Sequence, residues 1–284
     1  MNGSNDAPLH LTYAGHATVL VEMDRVRLLA DPVLRHYVGP LRRQMAVPDL
    51  DYGEIDAVLI SHLHRDHLDV PSLRQLGAGI RLIVPRGAAR SLKQRGFRHV
   101  EEIGRGEATM VGGITVEATP ANHSKSRTLF GPTAECIGFA IRGSSQVYFA
   151  GDTDLFPEME LLGGNLDVAL LPVWGWGPTL GNGHLDPFRA AQALTLLRPR
   201  VAIPIHWGTF CPIGTCWMQF LSQPPRAFAH HAAGLTPEVE IRVLEPGQST
   251  RTRPLMSRDE RAPLHPSFSR HSTPLPYSFH HQQV

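Results

Sequence analysis

Ala57-Val58-Leu59-Ile60-Ser61-His62-Leu63-His64-Arg65-Asp66-His67-Leu68-Asp69 joins a short apolar run to a dense cluster of imidazoles and carboxylates. The first four residues have the length and apolarity of a buried strand. Three histidines and an aspartate then fall within six residues at the mouth of that strand, where loops of α/β folds carry function. With 16 histidines in 284 residues, His-x-His-x-Asp-His arises by chance in about two of a thousand such chains. Asp69 follows as an N-cap with Pro71 in the first turn, so a helix begins there.

Working outward, β-forming runs over 9–13, 18–22 and 26–30 are separated by Gly15-His16 and Asp24-Arg25. A polar loop over 34–54 leads into the motif. A strand over 81–84 and a helix over 88–95, stopped by Gly96, come next. A second series of strands is expected over 107–110, 114–119, 135–142, 147–150, 167–171 and 201–205. Between the last two lies the clearest helix, with Asp186 as N-cap and Pro187 at its first position, running to Leu197. Meanders and strand–helix–strand crossovers in two halves imply a layered α/β protein with sheets inside and helices outside. Ordered signals end at Pro246-Gly247. The expected organisation is one domain over 1–247 and a disordered Pro/Ser/Arg/His-rich tail over 248–284, whose His265, His271, His280 and His281 are read as solvated.

Three more candidate ligands stand at the ends of expected strands. They are His123 in Pro-Ala-Asn-His, Asp152 in Phe-Ala-Gly-Asp-Thr and His206 in Ile-Pro-Ile-His-Trp-Gly. Together with the motif they supply seven imidazole and carboxylate groups. That is the number that two adjacent divalent cations need, with three ligands each and one bridging carboxylate. His with Asp suits zinc, with manganese or iron as alternatives, whereas calcium or magnesium would be held mostly by oxygen.

The motif and the order of its strand-end partners resemble the metallo-β-lactamase fold superfamily over about residues 9 to 247. The resemblance implies a four-layer αββα sandwich, with His62, His64 and His123 on one metal, Asp66, His67 and His206 on the other, and Asp152 bridging. It departs from true β-lactamases, where a Cys is common in place of the bridging carboxylate, and from flavo-diiron proteins, which carry Glu in place of His64. Gly15-His16-Ala17-Thr18, Asp31-Pro32, His184-Leu-Asp-Pro and His206-Trp207-Gly208-Thr209-Phe210 are similar to the branch containing ascorbate-6-phosphate lactonase and N-acyl-phosphatidylethanolamine phospholipase D. The implied activity is dinuclear hydrolysis of an ester-type bond by a metal-bridging hydroxide, with a phosphodiester or phosphorylated lactone favoured. Asp66 would orient the nucleophile and take its proton, and His184, beside a helix N-terminus, would support the leaving oxygen. His16 is open to a structural or ligand-supporting role or to substrate contact. Asp31 is open to a purely structural role or to orienting a ligand imidazole. Trp174 and Trp176 either pack or line a pocket. The competing class is a non-catalytic metal-binding interaction protein that kept the fold.

Composition closes off other classes. Apolar residues make up 42% and charged residues 19%, with a net charge of +1. That balance excludes an acidic disordered protein and argues against a nucleic-acid partner, leaving a nuclease as a minor alternative among hydrolases. The expected partner is a small-molecule or lipid-like ester. The uncharged stretch over 201–225, with Trp207, Phe210, Trp217 and Phe220, is read either as core and turn or as an apolar wall for such a substrate. This stretch and that over 168–185 are broken by Pro and Gly, which makes them poor membrane spans. The polar N-terminal residues lack the pattern of a signal peptide, and the expected location is cytoplasmic. Cys136, Cys211 and Cys216 are read as ordinary reduced thiols.

Overall fold

The computed structural model describes residues 8–123, 134–175, 183–214 and 218–253. β1 (Leu9–Gly15), β2 (Thr18–Met23) and β3 (Val26–Ala30) form an antiparallel meander, and β4 (Tyr37–Val38) and β5 (Leu41–Arg43) form a short hairpin. β6 (Ala57–Leu59) then lies parallel to β3. α1 (Val70–Leu76), β7 (Arg81–Pro85), α2 (Ala89–Gln94) and β8 (His99–Ile103) continue as parallel crossovers. The second half opens with β9 (Ala108–Val111), β10 (Ile114–Pro120), β11 (Ile137–Arg142) and β12 (Gln146–Phe149), all antiparallel. A 3-10 turn (Pro157–Leu162), β13 (Val168–Pro172), α3 (Pro187–Leu197) and β14 (Val201–Ile205) follow, with β12, β13 and β14 parallel. β15 (Phe210–Pro212), α4 (Met218–Leu235), β16 (Glu240–Ile241) and β17 (Ser249–Thr252) complete the described elements.

One seven-stranded sheet has the order β17-β1-β2-β3-β6-β7-β8, and the other β16-β14-β13-β12-β11-β10-β9. Strand alternation sorts their side chains into layers. Val19, Val21, Leu28, Ala30, Leu59 and Ile83 of the first sheet share a core with Val116, Phe139, Ile141 and Phe149 of the second. The opposite face of the first sheet, through Leu20, Leu29, Val58, Leu82 and Val84, packs under Leu73 of α1 and Leu92 of α2. On the far side of the second sheet, Ala190, Leu194 and Leu197 of α3 are buried. The result is the expected helix–sheet–sheet–helix order. Both expected N-caps are present: the Asp69 carboxylate accepts from the Ser72 N–H, and that of Asp186 from the Arg189 N–H.

Four expectations need correction. Order does not end at Gly247, because β17 pairs antiparallel with β1 from Leu9↔Thr252 to Thr12↔Ser249 and buries Thr252. A polar edge strand has no apolar periodicity to betray it. The loop over 34–54 contains β4 and β5, and β15 joins them in a small third sheet. The stretch ending at Pro225 enters a helix, α4, despite Pro224 and Pro225 inside it. Prolines ordinarily break a helix, but Leu221, Phe228 and Ala232, spaced seven and four apart, are buried along one face. Finally, Cys211 is disulfide-bonded, while the buried Cys136 is a free thiol. Trp207 and Phe210 are buried, as core residues rather than as an open wall, whereas Trp176, Trp217 and the Phe220 side chain lie outside the described residues, as does the expected tail beyond Arg253. No helix among the described residues is long and apolar enough to cross a membrane.

The pairing of β17 has a measurable consequence. A chain truncated after Gly247 is expected to melt roughly 4–8 °C below one truncated after Arg253, which corresponds to about 2 kcal/mol for a domain of this size. Equal melting temperatures would show that β17 contributes nothing to the sheet.

Candidate metal centre

The functional residues stand where strands end. Beyond β6, the Ile60 N–H still donates to Ile83 O, and then the chain folds into a turn in which the His67 and Leu68 N–H groups donate to His64 O at 3.0 and 2.8 Å. A bend at Leu63 and the tight turn to His67 bring all three rings together, with His62 centred 4.5 Å from His64 and 4.1 Å from His67. Asp31, His123, Asp152 and His206 arrive from the ends of β3, β10, β12 and β14. Gly151, with φ +60°, lets Asp152 approach, since a Cβ on it would lie 2.7 Å from the Ser61 Cβ.

All seven expected ligands meet in two adjoining groups. In one, ligand atoms of His62, His64, His123 and Asp152 lie within 4.8 Å of one another; in the other, those of His16, Asp66, His67 and His206 do. Asp152 stands between them. Its Oδ2 is 3.9 Å from Nε2 of both His62 and His123 and 3.3 Å from Nε2 of His67, and its Oδ1 is 3.3 Å from Nε2 of His206. His184 joins at the edge, with Nε2 3.6 Å from Asp152 Oδ2 and its ring edge-on to His123 at 4.6 Å.

The hydrogen bonds around the rings fix which nitrogens carry lone pairs. Nδ1–H of His67 donates to Asp31 Oδ2 at 2.7 Å, that of His123 to Gly183 O at 2.6 Å and that of His206 to Trp174 O at 2.6 Å. His62 Nδ1–H donates to Ser61 Oγ at 3.0 Å, and the Ser61 hydroxyl donates onward to Asp31 Oδ2 at 2.5 Å. Each Nε2 is thereby left as an acceptor in the neutral ring. Nε2 of His67 and His206 face each other at 3.1 Å, two lone pairs that only a proton or a cation can reconcile. Nε2 of His62 is buried without a hydrogen-bond partner. His64 differs: its Nδ1 faces His123 Nε2 at 3.2 Å. Convergent imidazole lone pairs with two carboxylates are the donor set of borderline divalent metals, so the residues present fit a pair of such ions.

Electrostatics in the metal-free fold agree with this arrangement. Burial, then neighbouring imidazoles, push the His62 pKa well down and that of His64 down to about 4. Burial also lowers His123. Burial opposes the charges of Asp66 and Asp152, yet the His16 hydrogen bond and the nearby His67 hold Asp66 well below the carboxylate range, and His206 and His67 do the same for Asp152. His67 moves the other way. Burial disfavours its charge, but Asp152 and Asp31 on either side outweigh that and raise its pKa well above the usual value.

His16 and Asp31 take definite places. His16 is buried, and its Nε2 lies 3.2 Å from Asp66 Oδ2, so it touches a candidate ligand instead of an incoming substrate. A register shift between β1 and β2 at Tyr13/Gly15 and a φ of +107° at Gly15 aim it there. Asp31 orients His67 directly and His62 through Ser61. The Trp174 side chain packs partly against the core, and its contribution to the site is its carbonyl. The His16–Asp66 contact is the ligand-supporting role open to His16 in the sequence, whereas Ser61, Gly183 O and Trp174 O are supports that the sequence reading does not include. Only Ser61, adjacent to the motif, left any trace in the sequence.

Comparison with known proteins points the same way. A β-lactamase superfamily domain matches residues 26–207. A UPF0173 metal-dependent hydrolase of Methanopyrus kandleri is 35% identical over 251 residues, covering 85% of this chain and 99% of that protein. N-acyl-phosphatidylethanolamine-hydrolyzing phospholipase D 1 of Caenorhabditis elegans is 32% identical over 238 residues, covering 74% of this chain and 67% of that protein. Among solved structures, the metallo hydrolase Igni18 of Ignicoccus hospitalis aligns with a TM-score of 0.68 at 28% identity, covering 86% and 98% of the two chains. The metallo-β-lactamase fold protein YhfI of Bacillus subtilis shares the fold, with a TM-score of 0.61 at 17% identity and coverage of 86% and 99%.

Two outcomes follow from the geometry. Replacing Asp31 by Ala should weaken metal binding by about 10–100-fold, as read by competition with a chromophoric chelator; undiminished affinity would remove its orienting role. At pH 7 metal binding should displace a proton from His67, whose pKa Asp152 and Asp31 raise well above the usual value. Affinity therefore falls as the pH drops and protons compete for His67. Calorimetry in buffers of different ionisation enthalpy reads the release, and heats that do not vary with buffer would contradict it.

Proposed function

The chain belongs to the β-lactamase superfamily, and from that premise we propose that it is a dinuclear metal-dependent hydrolase of an ester-type bond, a phosphodiester or a (phosphorylated) lactone. The observation that carries this reading is the position of Asp152 between two His/Asp groups. His62, His64 and His123 would hold one divalent ion, Asp66, His67 and His206 the other, with Asp152 shared, and zinc suits these donors, as do manganese and iron. When bound, such a pair supplies a water acidic enough to ionise near neutral pH and positive charge for the scissile group.

The chain's own residues supply the rest. Asp66 is the more open of the two site carboxylates, with a side chain 14% exposed against 3% for Asp152. His16 holds its Oδ2, which supports the reading that Asp66 would orient the attacking water and take its proton. His184 stands at the rim, 11% exposed, just before the N-cap of α3. In this reading its Nε2 would give a proton to the departing oxygen. The phosphodiester preference draws support from the C. elegans phospholipase D relative. The near-neutral charge supports a small-molecule or lipid-like substrate over a nucleic acid.

The test is hydrolysis of bis(p-nitrophenyl) phosphate, an aryl ester and a simple lactone by zinc- and manganese-loaded protein, each with a chelator control. Chelator-sensitive turnover of the diester or the lactone is expected, and metal retention without turnover on all three would favour the non-catalytic alternative. Asp66→Asn and His62→Ala should each lower turnover by about 10²–10⁴-fold without unfolding the protein. His184→Gln should cost more with alkyl than with p-nitrophenyl leaving groups, since only the former need a proton. An equal loss on both would take the acid role from His184.

A further inference from the structure

Arg43, at the end of β5, is buried, and among the described residues no carboxylate pairs with it. Its guanidinium instead donates to three main-chain carbonyls: Nη2 to Val33 O at 2.5 Å, Nε to Arg35 O at 3.1 Å and Nη1 to Ala14 O at 3.4 Å. It also lies over the Phe210 ring, 4.8 Å from the centroid. Burying a cation against neutral acceptors alone is costly, so what it joins matters.

Ala14 stands two residues before His16, and Val33 two residues after Asp31. The first of these turns holds Asp66 through His16, and the second holds His67 through Asp31. A planar fork with fixed donor directions ties the two together in a way that a flexible ammonium could not. The packing leaves little play. A Cβ on Gly15 would meet Arg43 Nη1 at 3.1 Å and Thr209 Oγ1 at 3.0 Å, and that same hydroxyl accepts the His16 N–H at 2.6 Å. Phe210, under the guanidinium, also presents its ring edge-on to His16 at 5.3 Å.

We propose that Arg43 is a positioning residue that clamps the 14–16 turn to the 31–33 turn and thereby sets the geometry of the Asp66–His67–His206 half of the metal centre. This rests on reading that half as a metal site. The His62–His64–His123 half is reached only indirectly, through Ser61, and is affected less.

The test strips the full-length protein with chelator and titrates it with zinc against a chromophoric competitor. His123→Ala and His206→Ala variants mark which affinity belongs to which half. Wild type should take up two equivalents. Arg43→Met should keep the first affinity within about threefold and lose about 10–100-fold at the Asp66–His67–His206 half, the size of effect that outer supports have on a metal. Arg43→Lys, which keeps the charge and folds more readily, should recover at most part of that loss. Equal affinities in wild type and both variants, or a parallel fall at both halves that tracks a lowered melting temperature, would overturn the clamp. Full recovery by Lys would overturn it too, since charge and not the fork would then be acting. Failure of wild type to bind two ions would instead overturn the dinuclear reading itself.

Discussion

Three donors converge on the buried carboxylate of Asp31: the Ser61 N–H at 2.8 Å, the Ser61 hydroxyl at 2.5 Å and His67 Nδ1–H at 2.7 Å. A carboxylate removed from water is expensive unless its lone pairs are filled, and here they are filled by the segment that begins the metal motif. The Asp31 N–H meanwhile donates to Leu59 O, extending the parallel pairing of β3 with β6. The same residue thus continues the sheet through its backbone and aims two imidazoles through its side chain. Because His62 belongs to one His/Asp group and His67 to the other, this one carboxylate also fixes the two groups relative to each other. Sheet register and ligand geometry are therefore a single arrangement.

A second regularity concerns how strands stop. His16, Asp31 and His206 have φ of +57°, +39° and +63°, and each immediately follows the last residue of its strand, β1, β3 or β14. A left-handed residue ends the extended run abruptly and swings the side chain toward the centre. For a residue other than glycine this costs about 1–3 kcal/mol. The strained turns brace each other, for the His206 N–H donates to His16 O and the His16 N–H to Thr209 Oγ1, both at 2.6 Å. Part of the backbone strain of the fold is thus spent where side chains must converge from both sheets.

The division between what the chain reveals in sequence and what it hides follows from this chemistry. The seven candidate ligands are legible because a metal demands particular side chains at strand ends, and strands announce themselves by apolar runs. The supports of those ligands are less so. Gly183 O and Trp174 O are main-chain acceptors that any residue could provide, and the contact of His16 with Asp66 depends on a bulge that no composition encodes. α4 was obscured because local proline chemistry argues against a helix, whereas its buried face, built on Leu221, Phe228 and Ala232, prevails. β17 was obscured because a polar edge strand owes its form to its partner β1 and carries no hydrophobic signature.

The main-chain supports also tie the two groups to each other. The connection from β13 to α3 starts beside Trp174, whose carbonyl orients His206, and finishes at Gly183, whose carbonyl orients His123. His184, at the rim of the site, follows directly. The two ends of one connection thus hold a ring of each His/Asp group. The acceptors that determine which imidazole nitrogen of His123 and of His206 is free therefore both belong to this one connection, and the geometry of the two groups depends on the same backbone.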